Sequence, residues 1–430
     1  MNFIIINGRV VDPSQKLDRK ANIVIRDGKI AGITTTNKIP DGYAVFDASD
    51  LLIMPGLVDM HCHLRDPGQT SKEDIYTGTM SAAAGGFTSI ACMANTVPVN
   101  DTATITKYIL DECRSHAHVN VHVIGAITKG LQGEVMAEMA GMKQSGIVAV
   151  SDDGMCVMNA QLMRRAMEYA DTLGLPVIIH AEDECMCHGA VMHEGAVSTR
   201  LGLIGKPAES EEIIVKRDIA LARMTGAHLH VAHVSSAESV KAIAQAKKEG
   251  LRITAEVTPH HLSLTDEALL HYNVNAKVNP PIRDNAHRKA LIKALKEGVI
   301  DAIATDHAPH TALDKNCGMD LAACGMVGFE TAFSLAYKLV AEKQLSVSQL
   351  VQRMSTTPAA ILGLNAGSLK KGRPADITIV DPRSTWTVDS SQFFSKGRNS
   401  PFDGWKLPAP VVYTFVNGKV VYRNERSIAS

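Results

Sequence analysis

The sequence predicts an α/β fold, a (β/α)8 TIM-type barrel with a small β-sandwich domain formed by both termini, on three observations. A short apolar run, a polar or glycine-rich turn and a helical stretch recur eight times between residues 56 and 309. The two ends of the chain resemble each other instead, each a β-branched stretch carrying an Asn-Gly pair. Histidines and aspartates gather at the downstream ends of the central runs, where a parallel barrel keeps its catalytic groups.

At the N-terminus, Asn7-Gly8-Arg9-Val10-Val11 reads as a hairpin, because Asn-Gly supplies the positive φ angles of a tight turn. Ile23 to Ile30 signals a second hairpin through Asp27-Gly28, and Asn417-Gly418-Lys419-Val420-Val421 repeats the first near the other end. Ala375 to Val380 adds a strand. Residues 1–54 and 365–430 are therefore expected to share one small β domain around a barrel spanning 55–364. The eight barrel runs are Gly56 to His63, Phe87 to Met93, Val119 to Ile127, Gly146 to Asp153, Pro176 to Glu182, Ala227 to Val234, Arg252 to His261 and Ala302 to Pro309. Between them Asn159 to Leu173, Glu209 to Met224 and Ala237 to Glu249 space their apolar residues as helices do.

Composition narrows the class of function. With 45% hydrophobic and 21% charged residues the chain is ordinary globular material. A formal charge of −1 provides no field to hold nucleic acid or an anionic membrane, so a small-molecule substrate is expected. The start lacks a basic segment before its short apolar run, and eight scattered cysteines show no secreted framework; a cytoplasmic protein with reduced thiols is expected. Cys185-Met186-Cys187-His188 has no second ligand pair at metal-finger spacing and reads as helix surface.

The first run ends in His61-Cys62-His63, and period-two spacing puts both imidazoles on one side of a strand. His180 lies near the end of the fifth run, His233 near that of the sixth and Asp306 in the eighth, so these strands converge on one point. Four imidazoles and a carboxylate suit Zn²⁺, and Asp153 closing the fourth run can bridge two such ions. Asp152 is the rival bridge; neighbours on a strand face opposite ways, so only one reaches the metals. His116, His118, His188, His193, His271 and His287 read as surface, His228 and His230 as the outer face of the sixth strand, and His260 and His261 as strand-end residues of open role.

This pattern resembles the amidohydrolase superfamily, as do Thr357-Pro358-Ala359-Ala360-Ile361-Leu362-Gly363 and Gly372-Arg373-Pro374-Ala375-Asp376. Within it, His61-Cys62-His63-Leu64-Arg65-Asp66-Pro67-Gly68 and Ala304-Thr305-Asp306-His307-Ala308-Pro309-His310-Thr311 resemble the dihydroorotase signatures. Many relatives bridge their metals through a carboxylated lysine ending the fourth strand. Here Val150-Ser151-Asp152-Asp153-Gly154 stands instead, similar to the long bacterial class of dihydroorotases.

The resemblance implies two zinc ions per subunit. His61, His63 and Asp306 would hold one, His180 and His233 the other, with Asp153 bridging and Asp306 also passing the proton. It implies dihydroorotate and N-carbamoyl-aspartate as substrates, contacted by Arg65, Asn95, Asn279, His310 and the backbone at Gly325. Arg65 can take a carboxylate with two donors. The stretch 311–324 is expected to be a mobile lid, and Asp320 to Cys324 lacks the Pro-Phe pair expected before the glycine. A homodimer and association with aspartate transcarbamoylase are also implied. A hydantoinase or allantoinase relative is the second reading, against which stand Arg65 and the missing lysine. A catalytically silent scaffold for aspartate transcarbamoylase is the third, against which stands the full set of ligand types.

Overall fold

A computed structural model describes residues 2–36, 39 and 41–424. All eight central runs form strands, and a helix follows each. In order these are β1 (Leu57–Cys62), α1 (Ile75–Ala84), β2 (Phe87–Cys92), α2 (Ala103–His116), β3 (Asn120–Gly125), α3 (Met139–Ser145), β4 (Ile147–Ser151) and α4 (Ala160–Thr172). Then come β5 (Val177–Ile179), α5 (Glu209–Thr225), β6 (Leu229–Val231), α6 (Ala237–Lys248), β7 (Ile253–Val257), α7 (Asn285–Glu297), β8 (Ala302–Ile303) and α8 (Phe329–Ala341). Each strand pairs in parallel with the next, in sequence order. The barrel closes where His63 N donates to His307 O at 2.9 Å, beside a parallel bridge between Cys62 and His307.

Local chemistry sets the helix ends. Asp74, Thr102, Asn159, Ser236 and Asp284 cap α1, α2, α4, α6 and α7 by accepting from the first-turn amides. Gly226 and Gly298 end α5 and α7 in the left-handed region. The main core lies between strands and helices, and a smaller cluster including Met60, Ala91, Ile124, Ala149, Ile178 and Ala302 fills the barrel interior. Leu229 and Val231 belong to the outer layer, so strand alternation turns His228 and His230 inward, opposite to the sequence expectation.

The terminal strands join in one eight-stranded sheet. Its order is Lys419–Arg423, Val411–Val416, Ile377–Val380, Leu52–Pro55, Phe3–Asp12, Leu17–Arg26 and Lys29–Thr34, with Ala44–Asp47 also on Phe3–Asp12. The sheet encloses its own core, with Phe46 edge-on to Tyr413 and Phe415. Asp12 Oδ2 accepts from Leu369 N at 2.8 Å, tying the two ends together. Asp27-Gly28 and Asn417-Gly418 turn hairpins, all four residues at positive φ. Asn7-Gly8 does not: Asn7, at φ 67°, sits in a bulge inside a single ten-residue strand. The same dipeptide that makes a turn also makes a bulge when the partner strand continues past it. Among the described residues no helix is long and apolar enough to cross a membrane.

Candidate metal centre

The ends of β1, β4, β5, β6 and β8 bring together the residues named from their spacing. His61 Nε2 lies 3.3 Å from Asp153 Oδ2 and 3.6 Å from Asp306 Oδ1; His63 Nε2 lies 3.5 Å and 3.1 Å from the same atoms. His233 Nε2 is 3.4 Å from Asp153 Oδ1, and His180 Nδ1 is 2.9 Å from His233 Nε2. All six residues are buried. His61, His63 and Asp306 form one group with metal-ligand spacing, and His61, Asp153 and His233 another. Asp153 faces these histidines, whereas Asp152 accepts from the backbone of Ile127 and Thr128 and from the Thr128 hydroxyl. Neighbours on the chain thus take opposite sides, although both lie just past the end of β4 at Ser151.

The donor set fits a metal cation. His61 Nε2 and Asp153 Oδ1 are buried with no hydrogen-bond partner, a costly condition unless a ligand satisfies them. Glu256 Oε1 accepts from His61 Nδ1 at 2.7 Å, and Asn95 Oδ1 from His63 Nδ1 at 2.9 Å, leaving each Nε2 lone pair aimed into the cluster. Burial alone would depress the His61 pKa, but Asp153 and Glu256 raise it well above the ordinary value. Burial likewise opposes ionisation of Asp306, yet the His63 hydrogen bond and the charges of His61, His63 and His233 lower its pKa. The carboxylates therefore demand positive charge, which protons or a cation supply.

Backbone strain marks the same place. His233, Asp306 and Arg65 have φ of 32°, 47° and 61°. Non-glycine residues held there cost about 1–3 kcal/mol each, a burden that persists where surrounding structure enforces it and clusters at functional sites.

Arg65 is buried, its Nε 3.3 Å from Pro309 O and its Nη2 3.4 Å from His310 Nε2. Among the described residues no carboxylate pairs with it. Burial lowers the His310 pKa to about 3, reinforced by Arg65, so the imidazole stays neutral; its Nδ1 is buried without a partner. Asn279 Nδ2 faces His180 Nε2 at 3.2 Å. Gly325 has φ 132°, and a Cβ there would lie 2.7 Å from Ala308 Cβ, which explains the glycine. Its N–H donates to Lys277 O and its C=O accepts from Lys315 Nζ and Asn399 Nδ2, so both backbone groups are already engaged.

The stretch expected as a lid is tied down in this structure. Lys277 Nζ donates to Met319 O at 2.6 Å and Lys315 Nζ to Ala323 O at 2.7 Å, both ammonium groups being buried. Cys185 to His188 form turns instead of helix, with Cys187 buried. His193 is buried, not on the surface, and groups with Asp284 and His287 at metal-like spacing. Arg283 and the Ala237 amide donate to Nδ1 of His193 and His287, however, which places the ring protons on Nε2 and leaves no free lone pair. His260 and His261 are both buried; burial, and then His261 for His260 and His233 for His261, lowers their pKa values.

Sequence reasoning missed the support behind these candidate ligands. Glu256 accepts from His61 and, at 3.2 Å, from His230 Nε2; despite burial, these two histidines lower its pKa to about 2. Asp59 accepts from Thr305 N and Oγ1, pinning β8 beside β1. A lone glutamate between Ala255 and Val257 in an apolar run was the available signal. Glu256→Gln should weaken metal retention about 10- to 100-fold, read as release to a chromogenic chelator; unchanged release would remove Glu256 from the orienting role.

The amidohydrolase family model matches residues 52–421, and the chain belongs to that family. A dihydroorotase of Citrifermentans bemidjiense is 51% identical over 423 residues, covering 98% of this chain and 100% of the relative. One of Acetivibrio thermocellus is 50% identical, covering 98% and 99%. Within the amidohydrolases the chain is thus a member of the dihydroorotase family, a metal-dependent group of cyclic amidohydrolases. The L-hydantoinase of Arthrobacter aurescens superposes with a TM-score of 0.88 at 27% identity, over 98% of this chain and 96% of that one. The barrel with its terminal β sheet is accordingly shared with that hydantoinase, and the fold alone does not set the substrate.

Proposed function

We infer that the chain catalyses the reversible cyclisation of N-carbamoyl-L-aspartate to L-dihydroorotate and water, the dihydroorotase step of pyrimidine synthesis. The observation that carries this reading is Arg65, a buried guanidinium beside the metal centre with no carboxylate of its own. A substrate bearing a carboxylate completes it. The full-length relatives named dihydroorotase support the same reaction.

His61, His63 and Asp306 would hold one zinc ion, and His180 and His233 a second, with Asp153 between them. When bound, zinc supplies Lewis acidity, making water a nucleophile near neutral pH and polarising the ring carbonyl. Asp306, held ionised, takes a proton from the attacking water and delivers it to the departing ring nitrogen; in ring closure the transfers reverse. Arg65 grips the carboxylate, and Asn95, Asn279 and neutral His310 hold the remaining polar atoms of the ring. We place the reaction in the cytoplasm. Pairing with a second copy, or with aspartate transcarbamoylase, belongs to the same reading and is checked by sedimentation of the chain alone and mixed with that enzyme.

Dihydroorotate, hydantoin and allantoin should be assayed side by side on the metal-loaded protein. A strong preference for dihydroorotate is expected. Equal turnover of hydantoin, which lacks the carboxylate, would sink the assignment and favour the hydantoinase reading.

A further inference from the structure

The geometry points to Lys206 as a positioning residue that fixes Asn279 as a hydrogen-bond donor toward the substrate, an inference that rests on the reaction just assigned. Between β5 and α5 the chain makes a small parallel ribbon, Met192–His193 against Gly205–Lys206. Lys206 ends that ribbon and is buried. Its ammonium lies 2.8 Å from both carboxylate oxygens of Glu182 and 2.9 Å from Asn279 Oδ1.

An ammonium has three donors and no acceptor, whereas an amide side chain has an oxygen on one side and an NH₂ on the other. Only the oxygen of Asn279 can face Lys206. The NH₂ must then point the other way, and it does, lying 3.2 Å from His180 Nε2 at the edge of the metal centre. Glu182, two residues beyond His180 and 3.9 Å from its Nε2, matches the lysine's charge. Lys206 is therefore not a spare cation for a substrate carboxylate; its charge is already answered. The Asn279 side chain also hydrogen-bonds Glu182, and a carboxylate can accept only from the NH₂, so ammonium and carboxylate together settle which end of the amide faces which way. The consequence is a neutral donor aimed at a carboxylate or carbonyl oxygen, where a flipped amide would set oxygen against oxygen.

The test is a double-mutant cycle on the metal-loaded, full-length protein: wild type, Lys206→Met, Asn279→Ala and the pair. Lys206→Met should lower kcat/KM about 10- to 100-fold, the usual cost of losing an orienting partner, chiefly through a higher KM. Lys206→Arg, which keeps a donor to Oδ1, should recover most of the loss. In the Asn279→Ala background Lys206→Met should change kcat/KM by no more than about twofold, within the scatter of additive effects, because no amide remains to orient. Glu182→Gln with Lys206→Met removes the orphaned carboxylate charge and should keep wild-type Tm and zinc content while kcat/KM stays below wild type, setting aside misfolding. An unchanged kcat/KM in Lys206→Met, or an equal loss in both backgrounds, overturns the proposal. Should the wild type prefer hydantoin, the substrate assignment falls by itself. The same cycle run on hydantoin's ring carbonyls then decides the role of Lys206.

Discussion

Asp306→Asn is expected to slow ring opening and ring closure alike by about 10²- to 10⁴-fold, the range that positioned acid-base catalysis supplies. The amide keeps the size of the side chain and one oxygen toward His63 Nε2, 3.1 Å away in the native protein, but it cannot accept a proton. Both directions must suffer equally, since one catalyst serves both through the same transition state. Zinc content measured on the same sample separates proton transfer from metal holding. A variant that keeps its metal and loses less than about tenfold, well short of the acid-base range, would leave Asp306 a ligand only.

Arg65→Met carries the second large effect. Truncating one partner of a buried charge pair costs about 2–5 kcal/mol, on the order of 30- to 4,000-fold in kcat/KM. Most of it should enter as a raised KM, because the carboxylate is present before and after the reaction. Arg65→Lys should recover little, since a single ammonium does not reproduce the guanidinium fork. The free protein should respond in the opposite sense. Its guanidinium is buried against Pro309 O and His310 with its pKa lowered by burial, so replacing it by an apolar chain of similar length should hold or raise Tm. An unchanged kcat/KM would show that Arg65 does not hold the substrate.

The sequence alone determined the barrel and the convergence of the candidate metal ligands because both are written in local patterns. Strand runs alternate with period two and helices with period 3.6, and the C-terminal end of a parallel strand is a fixed address for a functional side chain. His61, His63, His180, His233 and Asp306 therefore converge as their positions in the runs required, and the expectation that only one of Asp152 and Asp153 faces them holds even though both lie past the end of β4. Tertiary structure decided which one, by giving Asp152 to Thr128. It also decided that Asn7-Gly8 makes a bulge while Asn417-Gly418 makes a turn, since that depends on whether the partner strand continues. Glu256 reaches His61 across 195 residues, and Lys206 reaches Asn279 across 73. Such partners meet only when the barrel closes, and no periodicity along the chain encodes them. Burial then gives each contact its strength, since a polar atom withdrawn from water must find a protein partner or a ligand.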